Sequence, residues 1–154
     1  MKKKAVDAIK EIHRRLKGKN VTWVITASAS LALQGIDVEP HDIDIATDVL
    51  GEKAFGKIFS EGTKPVKLSE TNLFRSHISE FTVKGLQVHV VRGFKAKLKG
   101  NWWSPKTLQN AKKIRFKGMT LRVSNLQEEL FFYENSGRRK DAGKARKIRA
   151  IIEN

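Results

Sequence analysis

Asp42 and Asp44 are the side chains best suited to chemistry: two carboxylates one residue apart, in the run Asp42-Ile43-Asp44-Ile45. Polar and apolar residues alternate there with the period of a strand that buries one face. Both carboxylates therefore point to the same side, roughly 6 to 7 Å apart at the backbone, while Ile43 and Ile45 anchor the other. Such a pair can hold one hard cation. Magnesium takes one or two carboxylates and completes its octahedron with waters and substrate phosphate oxygens. An Asp-x-Asp on an exposed strand is common by itself, and the weight here comes from Ser28. It lies in the small-residue run Thr26-Ala27-Ser28-Ala29-Ser30 between a strand and a helix, where backbone N–H groups can cradle a phosphate. The same residues would also serve simply to pack closely and cap the helix. A phosphate cradle beside a carboxylate pair is a metal-dependent nucleotide site.

The elements that must position these groups follow from periodicity. Ala5, Ile9, Ile12 and Leu16 recur at helical spacing and Gly18 suits the helix end. Val21 to Ile25 is β-branched and aromatic, a strand feeding a short helix closed by Gly35. A helix is expected from about Leu50 to Glu61, ending at Gly62. Two hairpins are expected: one turns at Lys84-Gly85 between 78–83 and 86–91, the other at Lys117-Gly118 between 114–116 and 119–123. Ser124 with Gln127 reads as a capping box for a helix from about Asn125 to Ser136, stopped by Gly137. A last helix would turn Ala145, Ile148 and Ile152 inward. The expectation is a single α+β domain over residues 1–154, with a core at about 21–123 and a C-terminal helical pair at about 125–153. No repeat or Pro-rich linker divides it.

Composition narrows the partners. The 154 residues carry 31 Lys and Arg against 16 Asp and Glu, a net +15 that points to a polyanionic partner, nucleic acid or a nucleotide phosphate. With no cysteine, disulfides, thiolate zinc sites and thiol nucleophiles drop out, and a reducing cytoplasm fits. The lysines at the start are not followed by an apolar segment, and no stretch approaches the roughly 20 apolar residues of a membrane span, so no membrane partner is expected. Basic residues cluster in the first helix, at 95–99, at 112–117 and from Arg138 to Arg149, as in a groove that tracks a phosphate backbone. Trp102 and Trp103 lie between two clusters and are placed to stack a base, or to split between core and surface. His13, His41 and His77 read as structural or exposed. Tyr133 and Glu134 suggest no role.

Taken together, Ile25-Thr26-Ala27-Ser28-Ala29-Ser30-Leu31-Ala32-Leu33-Gln34-Gly35 followed by Asp42-Ile43-Asp44-Ile45 resembles the signature of the nucleotidyltransferase fold. That fold is shared by polymerase-beta-type, minimal and antibiotic nucleotidyltransferases. Val123-Ser124-Asn125-Leu126-Gln127-Glu128-Glu129-Leu130 and Gly137-Arg138-Arg139-Lys140-Asp141 are similar to the closing segment of small bacterial and archaeal members. The resemblance covers roughly residues 21 to 150. It implies a mixed β-sheet flanked by helices, a nucleoside triphosphate substrate with its phosphates at Ala27 and Ser28, magnesium on Asp42 and Asp44, and Lys140 near the nucleotide or its leaving pyrophosphate. Gly-Arg-Arg-Lys-Asp could instead end one helix and cap the next through Asp141.

Two positions depart from the family pattern. Ala27 stands where glycine is usual, which adds strain of about 1 kcal/mol if its φ is positive. His89 stands where a third carboxylate belongs. A two-residue turn at Lys84-Gly85 pairs Glu80 with His89, so Glu80 would supply the missing carboxylate or hold the imidazole, unless the two are only an exposed cross-strand pair. His89 itself could act as the base, or manganese could replace magnesium. The expectation is a metal-dependent nucleotidyltransferase acting on an RNA or protein acceptor rather than a cationic small molecule. The alternatives are a degenerate nucleotide- or RNA-binding member, such as a toxin-antitoxin component, and a plain basic RNA-binding domain. Oligomeric state is not legible.

Overall fold

The computed structural model describes residues 1–60 and 63–154. Helix α1 (Lys3–Leu16) leads into strand β1 (Trp23–Thr26) and helix α2 (Ala27–Leu33). Strand β2 (Ile43–Thr47), helix α3 (Val49–Ile58) and strands β3 (Lys64–Glu70), β4 (Phe74–Val83), β5 (Leu86–Leu98) and β6 (Asn101–Trp103) follow. A short α4 (Thr107–Asn110), strands β7 (Lys112–Phe116) and β8 (Met119–Val123) and helices α5 (Leu126–Asn135) and α6 (Arg139–Ile152) complete the chain. The strands form one mixed sheet, β3-β4-β5-β2-β1-β8-β7, with β6 paired to the end of β5. β2 runs parallel to β5 and β1 parallel to β8, and the other pairings are antiparallel. The expected α+β architecture with a C-terminal helical pair is the one found.

Burial explains the layering. Ala5, Ile9, Ile12 and Leu16 of α1 and Phe55 of α3 pack with Ile25, Ile43, Ile45, Phe81, Val88, Val90 and Leu121 on one face of the sheet. A second cluster joins Leu31 of α2, Ile36, Tyr133 of α5, and Ala145 and Ile148 of α6. β2 lies between β1 and β5 with its alternate residues buried, so its polar face is held by a rigid frame. Both expected hairpins form. Lys84 (φ 51°) and Gly85 (φ 74°), like Lys117 (φ 46°) and Gly118 (φ 81°), take the paired left-handed conformation that matches strand twist.

Several expectations are corrected. No separate turn intervenes between β1 and α2: the helix begins at Ala27 itself. Asp42 immediately precedes β2 rather than opening it. The capping box at Ser124 does not form, because Asn125 is the N-cap, accepting from the Gln127 N–H (2.9 Å), while Ser124 turns inward. Ile152 is 37% exposed at the last position of α6, although Ala145 and Ile148 are buried as expected. Asp141 is not a cap: fully buried in the first turn of α6, it binds the Arg138 guanidinium (2.7 Å) and the Ser136 hydroxyl (2.6 Å). Helix α3 ends at Ile58, and the expected end at Glu61 and Gly62 lies outside the described residues. Strands β3 and β6 and helix α4 were not expected. Among the described residues no helix is long and apolar enough to cross a membrane.

Candidate active site

Strand register assembles the site. Thr26 of β1 lies opposite Asp44 of β2, Asp44 beside His89 of β5, and His89 opposite Glu80 of β4, a polar row across four strands. The His89–Glu80 pairing is the one expected from the two-residue turn. His89 Nδ1 is 3.2 Å from Asp44 Oδ1 and 3.6 Å from Asp42 Oδ2, so the imidazole bridges the carboxylate pair. Its Nε2 is 3.6 Å from Glu80 Oε1, and Glu80 Oε2 is 3.2 Å from Lys64 Nζ on the edge strand. The row ends in solvent at Lys64.

The electrostatics follow from these distances. The Asp44 hydrogen bond, helped by the charges of Asp44, Asp42 and Glu80, holds the imidazole of His89 above its ordinary value against the opposing effect of burial. Burial and the adjacent Asp44 raise the Asp42 carboxyl. The hydrogen bond from Lys64 holds Glu80 below the usual carboxylate range. One carboxylate oxygen each from Asp42 and Asp44 and one nitrogen of His89 lie within 4.8 Å of one another, a separation a single cation can span. Glu80 is not part of that set. It faces the other nitrogen of the ring.

Asp42 and Asp44 open into a cavity of about 440 Å³ that is also lined by Ala27, Ser28 and Lys140. His89 and Glu80 do not line it. Ala27 has φ 55°, the left-handed conformation that a glycine would adopt without strain, and its N–H donates to Glu129 Oε1 (3.0 Å). Arg138 and Lys144 join Lys140 in the lining, so α6 and the residue before it bring three cations. Another part of the lining is aromatic: Phe74, Phe94, Trp103 and Phe132 come from β4, β5, β6 and α5 with ring centroids 5.8 to 6.3 Å apart. The Arg138 guanidinium rests 5.1 Å from the Phe74 ring and 5.5 Å from Phe132. The two tryptophans split, with Trp103 in the cavity and Trp102 at the surface under the Arg75 guanidinium (4.0 Å).

Sequence reasoning missed Glu129, Arg138, Lys144 and the phenylalanine wall. Glu129 was visible only as one of two adjacent acids on a helix, and helical spacing does not tell which of them turns inward. The aromatics come from four elements separated in sequence, so no local pattern joins them.

Residues 8–148 match the aminoglycoside-2''-adenylyltransferase family. A Thermotoga maritima protein assigned as a nucleotidyltransferase is 35% identical, with 97% of this chain and 93% of that one covered at a TM-score of 0.78. A lincosamide antibiotic adenylyltransferase solved with lincomycin is 14% identical, with 98% of each chain covered at a TM-score of 0.61. ANT(2'')-Ia in complex with adenylyl-2''-tobramycin is 12% identical, with 94% of this chain and 87% of that one covered at a TM-score of 0.61. No curated protein sequence matches.

Proposed function

Because this chain belongs to the aminoglycoside-2''-adenylyltransferase family, we propose that it transfers a nucleotidyl group from a nucleoside triphosphate to an acceptor hydroxyl in the cavity shared by Asp42, Asp44 and Ser28. The nucleotidyltransferase fold implied by the sequence resemblance is the fold of its solved relatives. The observation that carries the reading is the convergence of the Asp42 and Asp44 carboxylates on a cavity that Ser28 and Lys140 also line.

The donor set fits a divalent cation. Asp42 and Asp44 offer the hard oxygens that magnesium or manganese accepts, while His89 has Nδ1 turned to Asp44 and Nε2 to Glu80. When bound, the ion neutralises phosphate charge and makes the α-phosphorus more open to attack. The Ser28 hydroxyl contacts the phosphates, and Lys140 and Lys144 offset the charge of the triphosphate and of the departing pyrophosphate. His89 and Glu80 stand outside the cavity, so they act on the carboxylate pair: Glu80 steadies the ring, and the ring steadies Asp44. The aromatic wall receives the acceptor. A small ring-bearing molecule suits that concave aromatic surface better than RNA or a protein, whichever the basic exterior favours.

His89 in the place of a third carboxylate supports a second reading, a member that binds nucleotide without transferring it. Incubation with α-labelled ATP, magnesium or manganese and either lincomycin, tobramycin or a fractionated cell extract separates the two. Transfer predicts label on one acceptor with pyrophosphate release, reduced at least about 100-fold in Asp44→Asn. Metal-dependent ATP binding without pyrophosphate release from any fraction selects the binding reading.

A further inference from the structure

Glu129 belongs to α5, yet its carboxylate reaches the bend where β1 becomes α2. Its Oε1 accepts from the Ala27 N–H (3.0 Å) and lies 2.6 Å from Ser124 Oγ, with the Tyr133 hydroxyl against the same carboxylate. Ser124 Oγ is also 2.7 Å from Ser30 Oγ, and Gln34 Nε2 donates to Ser30 Oγ (3.0 Å) and to the Ser124 carbonyl (2.9 Å). A hydroxyl has one proton, so one direction satisfies the whole chain: Gln34 donates to Ser30, Ser30 to Ser124, and Ser124 to the carboxylate. Glu129 is the terminal acceptor of a polar network that crosses from α2 to α5. An apolar side chain would fill this space without the cost of desolvating a carboxylate.

What the network grips is strained. Ala27 sits at φ 55°, where a Cβ is strained, and conformations of this kind persist only when their surroundings over-determine them. The bond from the Ala27 N–H to Glu129 Oε1 is such a constraint: burial pushes the Glu129 carboxyl above its ordinary value, the Ser124 hydroxyl and the Ala27 N–H oppose that rise, and an acceptor oxygen is present in either form. The neighbouring residue is Ser28, whose presentation to the cavity depends on that bend. We infer that Glu129 is a positioning residue for nucleotide binding, its carboxylate locking Ala27 in the left-handed conformation from which Ser28 faces the cavity. Glu129 thereby does for Ala27 what glycine would do by itself. The inference rests on the proposed function in taking the Ser28 side of the cavity as the phosphate side.

The test is a double-mutant cycle read by calorimetric titration with Mg–ATP, which needs no acceptor. Glu129→Ala should weaken Mg–ATP binding about ten-fold, through the lost bond and the released bend. Glu129→Gln keeps an acceptor oxygen at the same reach and should stay within about three-fold of wild type. The deciding variant is Glu129→Ala combined with Ala27→Gly. Glycine holds the left-handed bend without help, so the loss on removing Glu129 should shrink to about three-fold or less in the Ala27→Gly background. Thermal unfolding of each variant checks that it is folded. Should Glu129→Ala not fold, Glu129→Asp, one methylene too short to reach Ala27, takes its place in the cycle.

Wild-type affinity in a folded Glu129→Ala overturns the inference, as does an equal loss with and without Ala27→Gly, which would mark a general packing role. A wild-type protein that does not bind Mg–ATP overturns the nucleotidyltransferase reading and the role of Glu129 with it, a result distinct from a variant that binds as well as wild type.

Discussion

His89 shows how one side chain reports on the state of the site. Its Nδ1 faces two carboxylates at 3.2 and 3.6 Å, so the protonated ring is favoured in the metal-free protein. A histidine whose folded pKa is raised contributes stability that is fully present below its unfolded value near 6.5 and is lost as pH rises through the folded value. A cation on Asp42 and Asp44 competes with the ring for those two carboxylates and leaves Glu80 as the remaining acid that raises it. Titration of the imidazole Cε1–H signals by NMR, with His89→Gln to identify the resonance among four histidines, should show His89 titrating above 6.5 without metal and falling once magnesium is added. A midpoint at or below 6.5 that ignores magnesium would mean that the ring is not engaged with the pair. The Glu80–His89 pairing was legible because a two-residue turn fixes hairpin register. The proximity of His89 to Asp44 depends on the parallel β2–β5 pairing between residues far apart in sequence, and only the family resemblance placed His89 there.

At the scale of elements, α3 packs against the end of the Asp-bearing strand that β1 and β5 hold. The helix is capped by Asp48, which accepts from the Gly51 N–H (2.8 Å), and Gly51 lies directly on the end of β2. A Cβ at Gly51 would meet Thr47 Oγ1 at 1.7 Å and the Thr22 carbonyl at 3.2 Å, while Thr47 Oγ1 is already committed to Thr22 O at 2.6 Å. Gly51→Ala should therefore cost about 1 to 3 kcal/mol despite alanine's better helix propensity. Calorimetry should register it as a fall in unfolding midpoint of roughly 3 to 9 °C. In a Thr47→Ala background the added cost should shrink, and equal costs in both backgrounds would mean that the Thr47 hydroxyl is not the obstacle. Elements with one buried face were legible: α1, β2, both hairpins and the helical pair. β3 was not, because six of its seven residues are exposed and its charges hide any alternation. β6 is three residues long, pairs among the described residues with the end of β5, and carries too little pattern to read.

The whole molecule carries +15, yet the cavity collects four acids, Asp42, Asp44, Glu128 and Glu129, against Arg138, Lys140 and Lys144. Which field an approaching ligand feels depends on range. At tens of ångströms the net charge acts, screened over a Debye length of about 10 Å at 0.1 M salt. Inside the cavity the local groups decide, and there Glu128 is tied to the Lys106 N–H and Asn110, Glu129 to Ala27 and Ser124, and the Asp pair to His89 or a metal. The sign of the approach field is therefore positive. Stopped-flow measurement, using the fluorescence of cavity-lining Trp103, should show Mg–ATP association slowing several-fold between 20 and 200 mM salt with little change in dissociation. A polycation such as tobramycin should show the opposite trend, associating faster as salt rises. Tobramycin association that slows with salt would show that the cavity acids govern the encounter, and would favour a cationic acceptor.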